Sequence, residues 1–396
     1  MSTPTSTPSR TPREPSPETA AHLTNLRVST GREDRRVDIV RGVSLRLTRG
    51  RVLALVGESG SGKSLTSLAF MGLLPPGLRA TTSAAAIGDT DTRDLTPARW
   101  RQLRGPRVAM VFQDPSSALN PAFTIGWQIA EPLRRHLGLR GRAARARAVA
   151  LMEQVGIPDA ERRYGAYPHE FSGGMRQRVV IAMALALDPD VLLADEPTTA
   201  LDVTVQAQIL RLLAARQREA GLAMLLVSHD LGVVAKVAQD VAVMYAGRVV
   251  EQGPLATVYE RPAHPYTRGL MEAVPEAAGP GGRLRSIPGQ PPDPRRMPGG
   301  CAFHPRCPLA TDRCAGEDPA VRELPDGREV ACHHAESVLS LAPARPDRDP
   351  RPDGTGDRPH DPAGEGAATG PAPASGPPGT GAGPDDPAHR HGRTDG

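Results

Sequence analysis

The chain has 396 residues, 39% of them hydrophobic, with a formal net charge of +4 and a pI near 9.1. That length accommodates one large domain or two ordinary ones. Arginines scattered among acids and only 3% aromatic residues argue against a nucleic-acid-binding stripe or base-stacking platform.

The opening "MSTPTSTPSRTPREPSPETA" has no apolar run of the signal-peptide kind, and no stretch approaches the roughly 20 apolar residues that span a bilayer. The expectation is a soluble, intracellular chain that meets a membrane only through partners. Residues 1–20 and about 336–396 are rich in Ser, Thr, Pro, Gly, Asp and Ala. Such segments bury too little apolar surface to offset the entropy of ordering, so both are predicted to be disordered. The first strands fall at "HLTNLRVST" and "VDIVRGVSLRLTRG", which alternate and end in a glycine turn. "RVLALVGESGSGKSLTSLAFMGLL" follows as buried strand, glycine-rich loop and apolar helix. Residues 115–188 read as a helical region, with an Arg/Ala-rich amphipathic run at 140–155. Strands return at "DVLLADEP" and "AMLLVSHD", separated by the helix "TVQAQILRLLAARQREA", and the pair "DVAVMYAGRVVEQG" closes on Gly253. Strands alternating with helices predict a parallel α/β sheet interrupted by a helical insertion. After residue 275 Pro and Gly dominate, and no regular element is predicted.

"GESGSGKS", Gly57 to Ser64, has the P-loop spacing between an apolar strand and a helix. Its glycines let backbone N–H groups turn toward phosphate, and the helix start adds its dipole. The candidate phosphate-binding residues are Gly57, Glu58, Ser59, Gly60, Ser61, Gly62, Lys63, Ser64 and Leu65. Lys63 reaches the β/γ-phosphates and Ser64 holds Mg²⁺. Lys63 and Lys236 are the only lysines in a chain whose other cations are arginine. A compact ammonium suits a phosphate cradle better than a planar guanidinium. In "VLLADE" the carboxylate of Asp195 ends a strand, ready to coordinate Mg²⁺ through water, and Glu196 points at the attacking water as general base.

At "FSGGMRQR", residues 171–178, the chain resembles the ATP-binding cassette ATPases, whose S-G-G signature opens a helix. Met175, Val179, Val180, Met183 and Leu187 follow as an apolar stripe at helical spacing. The resemblance implies an α/β fold of the P-loop NTPase type: a RecA-like core with antiparallel β and helical subdomains, over about residues 21–275. It also implies a head-to-tail dimer in which Ser172, Gly173 and Gly174 face the γ-phosphate of the other subunit. Gln113 in "VFQDP" matches the Q-loop, which senses Mg²⁺ and touches the membrane partner. Asp202 in "TALD" matches the D-loop at the dimer seam, and His229 in "LLVSHD" matches the switch histidine on the γ-phosphate. Where the family usually places an adenine-stacking aromatic, this chain has Thr30, and its first aromatic is Phe70. Arg32, Arg35 or Arg36 is the expected substitute. "VYERPAHPYTRGLMEAVP" and "IPGQPPDPRRMPGGCAFHPRCPLA" look like the C-terminal extension of dipeptide/oligopeptide importer ATPases, with nickel-peptide relatives, here residues 276–335. That resemblance implies ATP-driven peptide import, two permease subunits and an external peptide-binding protein. It also implies a second ATPase subunit (a heterodimer, or a homodimer) at the cytoplasmic face of the membrane. Nickel chelates or oligosaccharides remain alternative solutes, and a soluble non-transport cassette ATPase is the alternative class.

All four cysteines lie in that extension, as Cys301, Cys307, Cys314 and Cys332, with no C-x-x-C pair. The spacing fits no common zinc template. A reducing compartment disfavours disulfides; buried structural thiols or a metal site remain. Four thiolates suit an iron–sulfur cluster, and the resemblance points to a four-iron cluster. Zinc is the alternative, with His304, His333 or His334 as substitute ligands.

Overall fold

The computed structural model describes residues 18–31, 36–198, 203–273 and 286–341. Most of both terminal segments, Arg32, Arg35 and Asp202 lie outside the described residues.

The chain opens with β1 (Thr19–Thr30), β2 (Val37–Thr48), β3 (Val52–Val56) and α1 (Lys63–Phe70). Then come β4 (Leu78–Thr81), β5 (Ala84–Ile87), β6 (Thr90–Asp91), α2 (Pro97–Leu103) and β7 (Val108–Val111). The helical region holds α3 (Pro115–Ala118), α4 (Ile125–Leu137), α5 (Gly141–Gln154), α6 (Ala160–Arg163) and α7 (Gly173–Leu185). The core resumes with β8 (Val191–Asp195), α8 (Val203–Ala220), β9 (Ala223–Ser228), α9 (Leu231–Val237), β10 (Asp240–Tyr245) and β11 (Arg248–Pro254). After α10 (Leu255–Glu260) and α11 (Pro265–Glu272), the extension adds α12 (Asp312–Gly316), β12 (Arg322–Glu323), β13 (Glu329–Val330) and α13 (Ala335–Leu339).

Among the described residues the strands form two sheets. One is antiparallel, in the order β2-β1-β5-β6, with β4 also on β1. The other runs β12-β13-β11-β10-β3-β9-β8-β7, and from β10 to β7 every pairing is parallel. Every residue of β3, β8 and β9 is buried, as their unbroken apolar runs require of parallel strands covered on both faces. Side-chain alternation divides that burial. Val52, Ala54, Val56, Leu192 and Leu226 join the helical side through Leu133, Met152 and Ile181. Leu53, Leu55, Leu193 and Leu225 instead pack under the antiparallel sheet with Leu26 and Val43.

The predicted helical region is filled by α3 to α7. Several helices start on side-chain caps; among them Thr124 accepts from the Trp127 N–H, Ser172 from Met175 and Asp230 from Gly232 and Val233. In the signature stripe Val179 and Val180 are buried, while Met175, Met183 and Leu187 are partly buried against the same core. The short strands β4 to β7 carry no sequence-level prediction; each is too brief to set up a period of its own.

Past residue 275, where the sequence predicts no element, short strands form by pairing with distant chain. β13 adds to β11, with Glu251 opposite Val330, so the extension widens the core sheet. Glu251 is fully buried and accepts N–H bonds from Ala263 (2.8 Å) and His264 (3.0 Å) and a 3.2 Å bond from Arg328. Arg328 is 2% exposed and also holds Asp326 at 2.7 Å. Ordered chain continues through α13, where Val338 is 1% exposed, beyond the boundary expected at 335.

His264 caps α11 by accepting the Tyr266 N–H at Nδ1, 3.0 Å away. Burial, reinforced by the charge of Arg248, drops its pKa from 6.5 to about 3. Between those values the unfolded chain binds a proton that the folded chain refuses, so His264 lowers stability as pH falls below 6.5. His264→Asn keeps a cap acceptor without the titration. Denaturant unfolding of wild type and H264N should therefore diverge by about 2 kcal/mol between pH 7.5 and pH 5, with wild type losing more. Parallel pH profiles would exclude this role.

Candidate functional site: a phosphate loop facing two carboxylates

The site forms where the parallel strands end. Val56 pairs with Ser228, and Asp195 with Val227. The residues that follow these strand ends, Gly57, His229 and Glu196, therefore emerge side by side at the carboxyl edge, where open α/β sheets bind ligands.

The loop after β3 is fixed by close approach. Gly57 has φ +151°, and a Cβ there would stand 2.1 Å from the Met244 carbonyl oxygen. Gly62, at φ +103°, is the N-cap of α1 and supplies no side-chain cap. The first turn therefore leaves the N–H groups of Lys63, Ser64 and Leu65 without intrahelical acceptors, pointing at the site. The Lys63 ammonium donates to the carbonyls of Gly57 (2.9 Å) and Glu58 (3.0 Å). Burial lowers its pKa, opposed by the charges of Glu196, Asp195 and Glu58.

Ser64 Oγ donates to Asp195 Oδ1 at 3.2 Å, which brings the two expected Mg²⁺-binding side chains together. Burial raises the Asp195 pKa, and the Ser64 bond partly offsets this. Glu196 sits at φ +48°, in the left-handed region that a non-glycine residue enters only under constraint. Its N–H donates to the Val227 carbonyl at 3.0 Å. Gln113 Nε2 donates to Glu196 Oε2 at 3.1 Å, and His229 Nδ1 lies 3.2 Å from Oε1. The structure thus gathers Lys63, Ser64, Asp195, Glu196, Gln113 and His229 into one site. A carboxylate held between an amide and an imidazole, next to a phosphate loop and a cation, is equipped to activate water against a phosphoanhydride.

Residues 40–199 match the ABC transporter family, and residues 250–314 match the oligopeptide/dipeptide transporter C-terminal region. The chain is 46% identical over 313 residues to the dipeptide transport ATP-binding protein of Escherichia coli, spanning 79% of this chain and 96% of that relative. It is 49% identical over 302 residues to a putative peptide import ATP-binding protein of Brucella melitensis, covering 73% and 89% of the two chains. The chain belongs to the ABC transporter ATP-binding proteins. Among solved structures it resembles the dimeric, post-hydrolysis ATP-binding cassette MJ0796 bound to ADP and Pi. That similarity has a TM-score of 0.54 at 28% identity and covers 59% of this chain and 98% of that one.

Two further landmarks of the ABC ATPases lie apart from the loop or outside the described residues. Ser172, Gly173 and Gly174 stand at the start of α7; Ser172 and Gly173 are exposed, and Ser172 makes no hydrogen bond to the phosphate loop among the described residues. Asp202 is outside those residues. Thr30 ends β1 opposite Val37, and Arg36 donates to Asp38 at 3.1 Å.

The four cysteines, distant along the chain from the loop, line one small pocket with His304, His333 and His334. All four are free thiols. Burial pushes Cys332 up to about 12 and Cys307 up to about 11, and raises Cys301 as well. The donor chemistry suits a soft metal or cluster, yet among the described residues no group of three or more His, Cys, Asp or Glu is placed to hold an ion.

One contact carried no sequence signal. Arg306 from the extension reaches Glu58 inside the phosphate loop with bonds of 2.7 and 2.9 Å. In a chain whose basic residues are nearly all arginine, a buried one reads like an exposed one.

Thr30 offers no ring on which a base could stack, and modest discrimination between bases is the expectation. Hydrolysis by the assembled complex should differ between ATP and GTP by less than about tenfold in kcat/KM, since the missing stack is worth about 1–3 kcal/mol per base. Strong ATP preference in parallel assays would show that another group reads the base.

Proposed function

We propose that this chain is the ATP-hydrolysing subunit that energises import of di- and oligopeptides through a membrane permease complex. The observation that carries the reading is an ATPase site joined, in one chain, to the C-terminal region of oligopeptide/dipeptide transporters. The relatives named for dipeptide transport and peptide import support the choice of solute.

In this reading the loop N–H groups and Lys63 bind the β- and γ-phosphates. Ser64, Asp195 and Gln113 would hold Mg²⁺, which when bound neutralises phosphate charge. Glu196 takes the proton of the attacking water, and His229 orients on the γ-phosphate side. Ser172, Gly173 and Gly174 face a nucleotide held by a second ATPase subunit, and Asp202 lies at that seam. The second subunit is a homologous partner chain, or a further copy of this one, and the pair works beneath two permeases on the cytoplasmic face of the membrane. An external binding protein delivers the peptide. The exposed, stacked pair Phe123 and Trp127, with ring centroids 4.2 Å apart, lies in the helical region and offers an apolar contact to a permease. Among the described residues no helix is long and apolar enough to cross a membrane, which fits attachment through partners.

Reconstituted vesicles carrying the permeases and binding protein should take up a labelled dipeptide only with internal ATP. Glu196→Gln should keep nucleotide binding, lower turnover by at least about a hundredfold and trap the closed ATPase dimer. ATP-driven uptake of a nickel chelate or oligosaccharide in place of peptide would reassign the solute. Unchanged turnover in E196Q would remove Glu196 as the base.

Cys301, Cys307, Cys314 and Cys332 would hold a four-iron cluster, whose ordinary contribution in such a Pro/Gly-rich segment is to order the fold. Anaerobically purified protein should show iron and a broad absorption band near about 400 nm, both lost in Cys314→Ser. Colourless protein with stoichiometric zinc would overturn the cluster in favour of zinc.

A further inference from the structure

Arg306 belongs to no motif of the nucleotide site. It lies in the single turn His304–Arg306, between Cys301 and Cys307. Its side chain is only 5% exposed, and its guanidinium forms a two-bond fork on Glu58: Nη1 to Oε2 at 2.7 Å and Nη2 to Oε1 at 2.9 Å. The rest of the guanidinium is fixed as well. Nε donates to the Pro288 carbonyl at 2.8 Å, and Nη1 stands 3.4 Å from the Tyr245 hydroxyl.

Glu58 directly follows the first glycine of the phosphate loop. Its N–H donates to the Tyr266 hydroxyl at 2.8 Å. Both its backbone and its carboxylate are therefore held by groups outside the motif. A second observation agrees. Pro291, Pro292, Pro294 and Met297 of the extension share a pocket wall with Glu58 to Ser61. The same turn that carries Arg306 also frames the thiol pocket, because the Cys301 N–H donates to the Cys314 carbonyl at 2.8 Å and Cys307 N–H to His304 at 3.2 Å.

We propose that Arg306 is a positioning residue for ATP binding, acting through Glu58, so that the cysteine-bearing extension is part of the nucleotide site. Removing the buried Arg306 guanidinium leaves the Glu58 carboxylate, itself a quarter exposed, without the fork that fixes its direction. Glu58 then turns outward and carries the loop backbone with it. Phosphate recognition by backbone N–H groups tolerates little displacement, since an error of about 1 Å at a reacting or binding group is felt as orders of magnitude. A lysine at 306 restores the charge but not the fork.

The test measures N-methylanthraniloyl-ATP binding to the full chain, with Mg²⁺, alongside thermal unfolding. Arg306→Ala should weaken binding by about tenfold at a temperature where the protein is fully folded, with Arg306→Lys in between. In the assembled complex KM for ATP should rise while kcat is largely kept. R306A combined with Glu58→Gln should lose less than the two single changes together, because both remove the same fork. If R306A does not fold, E58Q and R306K carry the same comparison. A lowered melting temperature with nucleotide affinity within about twofold of wild type in these variants would mean a simple staple and would overturn the proposal.

Discussion

Parallel pairing of β3, β8 and β9 is the constraint on which the site depends. Three unbroken apolar runs can be buried only with helices or a second sheet on both faces, and in-register pairing then brings their carboxyl ends to one line. Gly57, Glu196 and His229 inherit their proximity from that register. Slipping one strand by a single residue would reverse which side chains face each core and would separate the two carboxylates from the loop.

The tight geometry at the strand ends follows from this packing. Gly57 must be glycine because the Met244 carbonyl of the neighbouring β10 occupies the space of a side chain. Glu196 accepts a left-handed backbone because β9 holds its N–H. Buried Lys63 and Asp195 have pKa values shifted against their charged forms. A phosphate group at the loop would favour the charged form of Lys63. Among the contacts that tie the extension into the same frame are the buried Glu251–Arg328 pair at the sheet edge and the Arg306–Glu58 fork at the loop. The turn that carries Arg306 is flanked by Cys301 and Cys307 of the cysteine pocket.

Residue type and spacing made the chemistry of the site legible. "GESGSGKS", "VLLADE", "FSGGM" and the histidine of "LLVSHD" each specify a local geometry, and helical and strand periods located most of the core elements. Illegible features depend on chain brought from elsewhere. β12 and β13 are two residues each and exist only because β11 offers an edge. α13 continues the ordered extension because Val338 finds burial, although its surroundings in sequence are polar. The gathering of four widely spaced cysteines in one pocket follows likewise from folding, since no short spacing announces it.

By itself, then, the sequence determined the site's parts: a phosphate loop, two carboxylates, a glutamine and a histidine, set at the ends of elements whose type short-range periodicity dictates. Only the tertiary structure decided that Gln113 and His229 bracket Glu196, that the extension widens the core sheet, and that Arg306 closes on Glu58 from 248 residues away. Local backbone preference acts over a few residues, whereas a buried charge finds its partner wherever folding delivers one.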